Sequence, residues 1–239
     1  MKVRISVTAI DSWLWYQGDD DMEFSALLAQ LRGETPPNEA MRKGSAFHKA
    51  LETASIGEFS YLEADGYRFL IEPNVELALP QIRELKLEGE YRVGGLTVEL
   101  VGKVDAVEGN TVYDHKTTGR FDADRLLNTF QWRYYLDLAR ADAFVWNVFE
   151  VGDTYSEAPP EWYPAPTRVP GIEAIKQYNV TAFHAVSQYR YPGLEADCQD
   201  KLQEFVDALG LTRMQFPSGY CTLADLLRAN RPAIGVGQS

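Results

Sequence analysis

The stretch VGKVDAVEGNTVYDHKTT, residues 101–118, decides the fold prediction for this chain. Two β-rich runs flank the dipeptide Gly109-Asn110, which is typical of a two-residue hairpin loop. With that loop, Glu108 pairs with Thr111, and the residues before and after them follow in register. A further β-rich run, EGEYRV, is separated by Gly94-Gly95 from the run LTVELVGKVDAV, which leads into the stretch. The sequence therefore predicts an antiparallel meander of three strands.

The same register brings two carboxylates together, because it places Asp105 opposite Asp114. Opposed side chains have Cβ atoms about 4.5–5.5 Å apart, where two like charges are destabilising unless a cation lies between them. Two carboxylates at that spacing suit Mg²⁺ or Mn²⁺. Strand alternation puts Lys116 on the face of Asp114 and His115 on the other face. Lys116 could assist an attacking water or contact a phosphate, or it could simply neutralise the aspartates of a surface hairpin. The hairpin alone leaves both readings open.

Length and composition narrow the class of protein. A chain of 239 residues with 45% hydrophobic content can bury one core, so we expect a single domain over residues 1–239. The net charge of −12 argues against a protein that coats nucleic acid with its whole surface, and leaves either a local groove or another ligand. Cys198 and Cys221 alone cannot form a cysteine zinc site, an iron–sulfur cluster or a disulfide framework. Without a signal peptide or membrane span in the sequence, we expect a cytoplasmic protein with no membrane partner.

Helical and strand patterns alternate along the chain, which predicts the α/β class. Five prolines in a Pro-rich loop at residues 158–171 exclude regular structure there. The remaining predicted elements are helices at 37–55, 124–140 and 194–209, and strands at 141–150 and 175–189.

Four short motifs occur in order along residues 41–150, which we take as the motif core. They are Gly44 with His48, Gly102 with Asp105, Asp114 with Lys116, and Gln131 with Tyr135. This order resembles the RecB-like branch of the PD-(D/E)XK nucleases, which includes phage exonucleases and CRISPR-associated nucleases, and SVTAIDSWLWY near the start is a weaker echo of it. The resemblance implies a restriction-endonuclease-like core with a mixed central sheet flanked by helices.

The resemblance also implies roles for the motif residues. His48, Asp105, Asp114 and the backbone carbonyl of His115 would hold one or two Mg²⁺ or Mn²⁺ ions. Lys116 would assist the attacking water, while Gln131 and Tyr135 would orient Lys116 and contact DNA phosphate. Without the resemblance, His48 on a largely apolar helix would be predicted as a core residue. The cysteines of the iron–sulfur relatives are missing, so no cluster is expected.

The activity implied is that of a stand-alone exonuclease, of the kind phages use in recombination or DNA turnover. It would hydrolyse linear DNA, leave 5′-phosphates and digest in the 5′-to-3′ direction, with a single-strand annealing or recombination protein as a candidate partner. Two alternatives stay open: an inactive DNA-end-binding or inhibitory protein on the same fold, and a hydrolase of smaller phosphate esters. Intact Lys116 argues against the first and the motif set against the second. The candidate contacts to the DNA backbone are Arg42, Lys43, Lys103, Arg120, Arg125 and Arg133.

Overall fold

The fold is known from a computed structural model, which describes residues 1–54, 61–72, 75, 82–152 and 175–231. No helix among these residues is long and apolar enough to cross a membrane. The strands are β1 (Lys2–Ser6), β2 (Tyr61–Ala64), β3 (Tyr67–Ile71), β4 (Ile82–Val93), β5 (Leu96–Glu108), β6 (Thr111–Thr118), β7 (Ala143–Val151), β8 (Lys176–Tyr189) and β9 (Tyr220–Thr222). The helices are α1 (Val7–Gln17), α2 (Phe24–Leu31), α3 (Glu39–Thr53), α4 (Ala123–Leu127), α5 (Gln131–Ala139), α6 (Leu194–Ala208) and α7 (Leu223–Ala229), with a 3₁₀ turn at Leu211–Arg213.

The described strands form one mixed sheet in the order β2-β3-β8-β7-β6-β5-β1-β9, with β4 paired to β5. Strands β1 and β5, β1 and β9, β3 and β8, and β6 and β7 run parallel, and the other pairs are antiparallel. Helices pack against this sheet. The predicted class, a mixed central sheet flanked by helices in a restriction-endonuclease-like core, is therefore confirmed.

Two hydrophobic clusters cover the two faces of the sheet. In β7, Trp146 and Val148 belong to the larger cluster with α1, α5 and α6, whereas Phe149 and Val151 belong to the smaller one with α3. Neighbouring residues of a strand point to opposite faces, which explains this division. The ring of Phe47 on α3 lies 4.8 Å from that of Phe149, centroid to centroid. Helix α3 is thereby fixed on one face and α5 on the other.

The predicted hairpin register is confirmed from Glu108 and Thr111 to Ala106 and Tyr113, but the predicted pairing of Asp105 with Asp114 is not part of the ladder. Glu108 pairs with Thr111, Gly109 takes a positive φ of 57° in the loop, and the strands of the predicted meander are β4, β5 and β6. The ladder between β5 and β6 ends at Ala106 and Tyr113, one pair before the two aspartates.

One predicted helix is wrong in its bounds. The periodic segment 124–140 contains two helices, α4 and α5, which are interrupted at residues 128–130. Asp122 caps α4 through the backbone N–H of Arg125 at 3.2 Å, and α5 restarts where a carboxylate from α1 accepts the N–H of Phe130. The cap from α1 accounts for the break, because it takes the Phe130 N–H that a continuous helix would have used internally, whereas the cap from Asp122 starts α4. The predicted Pro-rich loop lies outside the described residues.

Candidate active site

The candidate site lies where strand β5 changes its neighbour. Along residues 97–101, β5 pairs with β1, and along residues 106–108 it pairs with β6. Strand β4 lies along the opposite edge of β5, so β1 and β6 lie along the same edge of β5. The two strands separate from each other between these two stretches of β5, and we call this separation the fork. Asp105 lies in the resulting gap, beside Asp114 and Lys116 of β6. The fork in the sheet brings together the residues that the sequence motifs predicted.

Gly102 lets a tyrosine ring close one side of this gap. A Cβ atom at Gly102 would lie 2.4 Å from Cε1 of Tyr135, much closer than packed atoms tolerate. The hydroxyl of Tyr135 donates to the carbonyl oxygen of Lys103 at 3.0 Å, which fixes α5 against β5. The motif glycine is required by this close approach of ring and backbone.

Asp105 is held on the α3 side of the fork. Its Oδ1 lies 3.1 Å from Nδ1 of His48, and its Oδ2 accepts the backbone N–H of His115 at 2.6 Å. Burial works to raise the pKa of Asp105, but the bond and charge of His48 outweigh it and, together with the His115 N–H, hold the pKa below its usual value. Asp105 is therefore ionised at neutral pH, and His48, predicted from the resemblance, lies in direct contact with it.

Asp114 is held on the α5 side. It is 3% exposed, its Oδ1 accepts the amide N–H of Gln131 at 3.1 Å, and its Oδ2 lies 2.6 Å from Nζ of Lys116. Gln131 also lies 3.0 Å from the hydroxyl oxygen of Tyr135. The Lys116 ammonium contacts the ring of Trp146, 5.1 Å from its centroid. The predicted pairing of Asp114 with Lys116, and of Gln131 with Tyr135, is observed in these contacts.

The ion pair shapes both of its members. Burial is the main cause that raises the pKa of Asp114; the charge of Asp105 adds to it and that of Lys116 opposes it. Burial works to lower the pKa of Lys116, but the charge of Asp114, with smaller contributions from Asp105 and Asp11, raises it above the usual lysine value. Lys116 is 36% exposed and is a protonated ammonium at neutral pH. It therefore provides a positive charge and hydrogen-bond donors in this state of the protein and does not act as a base.

The side chain of His115 points away from Lys116, as strand alternation predicts. Its ring lies 6.3 Å from that of His48 and 6.0 Å from that of Phe149, centroid to centroid. Burial lowers the pKa of His115 to about 4, so the imidazole is neutral at pH 7. Its Nδ1 has no hydrogen-bond partner among the described residues. The role predicted for its backbone carbonyl stays a prediction.

The oxygen and nitrogen donors of the site fit the Mg²⁺ or Mn²⁺ ion that the sequence resemblance implies. Asp105, His48 and His115 line a small cavity of about 10 Å³, which is about the space that one water-sized sphere needs. Oδ2 of the buried Asp114 lies 2.6 Å from the Lys116 ammonium, and a carboxylate oxygen with one such partner keeps a lone pair for a further ligand. No group of three or more His, Cys, Asp or Glu side chains converges as a metal cluster within the described part of the chain. Two carboxylates with waters suffice for Mg²⁺, and the donors present fit that ion.

One residue of the site was not predicted from the sequence. Asp11, on α1, accepts the backbone N–H of Phe130 through Oδ1 at 3.0 Å. Although part of Asp11 is exposed, burial of its carboxylate raises the pKa to about 6, and the charge of Lys116 only partly opposes this. Asp11 lies within SVTAIDSWLWY, the weaker echo of the family noted in the sequence, but its role was not predicted because its partners are far away in the sequence.

The basic residues predicted to contact DNA are distributed unequally. Arg120 and Arg125 line a groove of about 860 Å³ that also includes Lys116 and Gln131. Their guanidinium groups make no ion pair with any residue that the structure describes. Arg133 is committed elsewhere: it donates to the carbonyl of Thr129 and lies over the rings of Phe130 and Trp132.

The other three lie outside this groove. Arg42 donates to the carbonyl of Pro37 at 2.7 Å, Lys43 lies over the ring of Tyr178, and Lys103 forms an ion pair with Glu84.

Known proteins resemble this chain in fold and in sequence. A solved structure, described as the crystal structure of SSO0001, superposes with a TM-score of 0.48 and 16% sequence identity over 86% of this chain and 76% of that chain. No curated protein sequence matches the chain. The family model of the PD-(D/E)XK nuclease superfamily matches residues 68–200, more than half of the chain, and this range contains Asp105, Asp114, Lys116, Gln131 and Tyr135 but not His48. The chain belongs to the PD-(D/E)XK nuclease superfamily.

Proposed function

We propose that this chain is a Mg²⁺- or Mn²⁺-dependent deoxyribonuclease of the RecB-like branch, which hydrolyses linear DNA from an end and leaves 5′-phosphates. The observation that carries the proposal is the assembly of Asp105, Asp114 and Lys116 at one fork of the sheet. The order of the motifs along the sequence would not by itself require these side chains to meet. Lys116 contacts Asp114, and the charge of Asp105 acts on both residues; this proximity supports hydrolytic chemistry.

The adjoining groove supports a polynucleotide substrate over a small phosphate ester. Arg120 and Arg125 line its wall near α4 together with Asp122 and Asp124, and neither arginine forms an ion pair with a described residue. Phosphates of a strand that leaves the site could pair with them. Lys116, Arg120 and Arg125 therefore offer local phosphate contacts on a chain whose net charge is −12.

The residues divide the chemistry between them. Asp105 and Asp114, with His48 at the α3 side, are the candidates to hold a divalent ion, which when bound activates water and stabilises charge on phosphate oxygens. Lys116 carries a proton at Nζ and can orient water or neutralise a phosphate oxygen. Gln131 fixes the direction of the Asp114 carboxylate, and Tyr135 fixes Gln131.

The activity is tested with linear duplex, single-stranded and circular DNA, each in Mg²⁺, Mn²⁺ or EDTA. We expect metal-dependent loss of linear DNA, with circular DNA resistant. Separate labels on the 5′ and 3′ ends report the direction of digestion, and we expect release from the 5′ end first. Ligation of the products without prior kinase treatment reports 5′-phosphates. Absence of metal-dependent cleavage of every substrate would refute the enzyme proposal.

The site is tested with Lys116→Met and Asp114→Asn, which keep the approximate size of each side chain. We expect both variants to lose cleavage while they retain the far-ultraviolet circular dichroism of the parent. Lys86→Met is the matched control, since Lys86 forms an exposed ion pair with Glu88 on β4. Cleavage at the parental rate by either site variant would exclude this site as the reaction centre.

A further inference from the structure

Helix α5 begins at a residue of the candidate site, yet it has no cap of its own. Phe130 occupies the N-cap position and offers no side-chain hydrogen bond. The first N–H groups of a helix need an acceptor from elsewhere. Asp11 supplies it from α1, by accepting the backbone N–H of Phe130 at 3.0 Å across 119 residues of sequence. The start of α5 is thus fixed by a distant helix.

The residue at that start is Gln131, which orients the Asp114 carboxylate. Gln131 is 6% exposed, and its single amide nitrogen lies 3.1 Å from Oδ1 of Asp114 and 3.0 Å from the hydroxyl oxygen of Tyr135. A side chain on the first residue of a helix changes direction when the first turn frays. Displacement of the first turn would therefore break the hydrogen bond from Gln131 to Asp114. Asp114 would then be held by Lys116 on this side of the site.

If this cap only stabilised the fold, a carboxylate would be an unfavourable residue for it. Burial raises the pKa of Asp11 to about 6, so an ionised group is retained where a serine or asparagine would cap without that penalty. Groups that oppose stability in this way concentrate at functional sites.

We propose that Asp11 is a positioning residue for phosphodiester hydrolysis, which holds the first turn of α5 and thereby sets Gln131 against Asp114. The inference rests on the proposed nuclease activity. Asp11 touches neither the substrate groove residues Arg120 and Arg125 nor any candidate metal ligand in the described contacts. Its effect is therefore expected on turnover rather than on DNA binding.

The test compares Asp11→Ala with Asp11→Asn in the full chain. Asn keeps an oxygen that accepts the Phe130 N–H, whereas Ala removes it. We expect Asp11→Ala to lower kcat at least about tenfold, since small misplacements of catalytic groups reduce rates strongly, with KM for DNA changed less than about twofold. Asp11→Asn should retain kcat within about threefold. The Phe130 amide should exchange with solvent faster in the Ala variant only.

Two further variants separate positioning from general damage. Thr222→Ala removes the cap of α7, in which Thr222 accepts the N–H of Asp225 at 3.2 Å, and should leave kcat unchanged. Asp11→Ala added to Gln131→Ala should cause no further loss of kcat, because both act through the same side chain.

The outcomes are distinguishable. An active parent with unchanged kcat in Asp11→Ala would overturn the inference, and so would an equal loss in the Asn variant or independent losses in the double variant. A parent that cleaves no DNA would instead overturn the proposed function.

Discussion

Replacement of Gly102 by alanine tests the close approach on which the fork depends. The new Cβ would lie 2.4 Å from Cε1 and 3.1 Å from Cδ1 of Tyr135, whereas packed carbon atoms prefer about 3.5–4.0 Å. The ring would have to move by about 1 Å, the difference between these distances. Tyr135 is 2% exposed and is tied through its hydroxyl to Lys103 and Gln131, so it has little room to move.

The expected loss of stability follows from two opposing effects. Overpacking of a buried site costs about 1–3 kcal/mol. Alanine in place of glycine gains about 0.4–1 kcal/mol through the unfolded chain where the backbone conformation permits it. We therefore expect Gly102→Ala to lower the free energy of unfolding by about 1–2 kcal/mol. Because the displaced Tyr135 moves Gln131, cleavage should fall as well.

Urea unfolding of a double-mutant cycle measures this contact. Tyr135→Ala alone leaves a cavity and costs about 3–5 kcal/mol by analogy with other aromatic truncations. In the Tyr135→Ala variant, Gly102→Ala should leave the free energy of unfolding unchanged or raise it. The coupling energy between the two substitutions is then about 1–3 kcal/mol. Gly119→Ala is the matched control, since a Cβ there meets no atom within 4 Å. Equal effects of Gly102→Ala with and without Tyr135 would refute the reasoning.

Three other perturbations follow from the charges of the site. The pKa of Asp11 is about 6 in the folded protein against 3.8 for a free side chain, so the folded state binds more protons and its stability falls as pH rises between these values. Asp11→Asn should therefore raise the free energy of unfolding at pH 8, by up to about 3 kcal/mol, and not at pH 3; equal effects at both pH values would contradict this. The double variant Arg120→Gln, Arg125→Gln should raise KM for DNA without changing kcat and should reduce the salt dependence of binding by about two charges; an unchanged salt slope would remove these residues from the DNA path. His48→Ala should weaken Mn²⁺ binding about 10–100-fold by calorimetry and raise the pKa of Asp105, and unaltered Mn²⁺ affinity would exclude His48 as a ligand or support.

Local sequence patterns predicted much of the site because its central residues are close in sequence. The Gly109-Asn110 loop sets the pairing of β5 with β6, and alternation then places Lys116 beside Asp114. Helical spacing likewise brings Gln131 to Tyr135. In each case one period, two for a strand or 3.6 for a helix, determines which side chains meet.

Contacts between distant segments were not predictable in this way. Asp105 does not pair with Asp114 in the ladder, because its carboxylate turns to His48 and to the N–H of His115. The break before α5 was missed because hydrophobic spacing continues across it, while its cause, Asp11, lies on another helix. Tertiary hydrogen bonds override local periodicity at both places.

Strand β1 also has a consequence for how the chain is made. Both of its partners, residues 97–101 of β5 and 220–222 of β9, come much later in the sequence. At a synthesis rate of about 5–20 residues per second, β5 is synthesised roughly 5–20 s after β1, and β9 later still. Helix α1, which follows β1, carries Asp11. Asp11 can therefore cap the first turn of α5 only after β1 has paired with β5 in the sheet. We therefore expect a ribosome-bound chain to be inert toward nearby DNA until most of the protein has been synthesised.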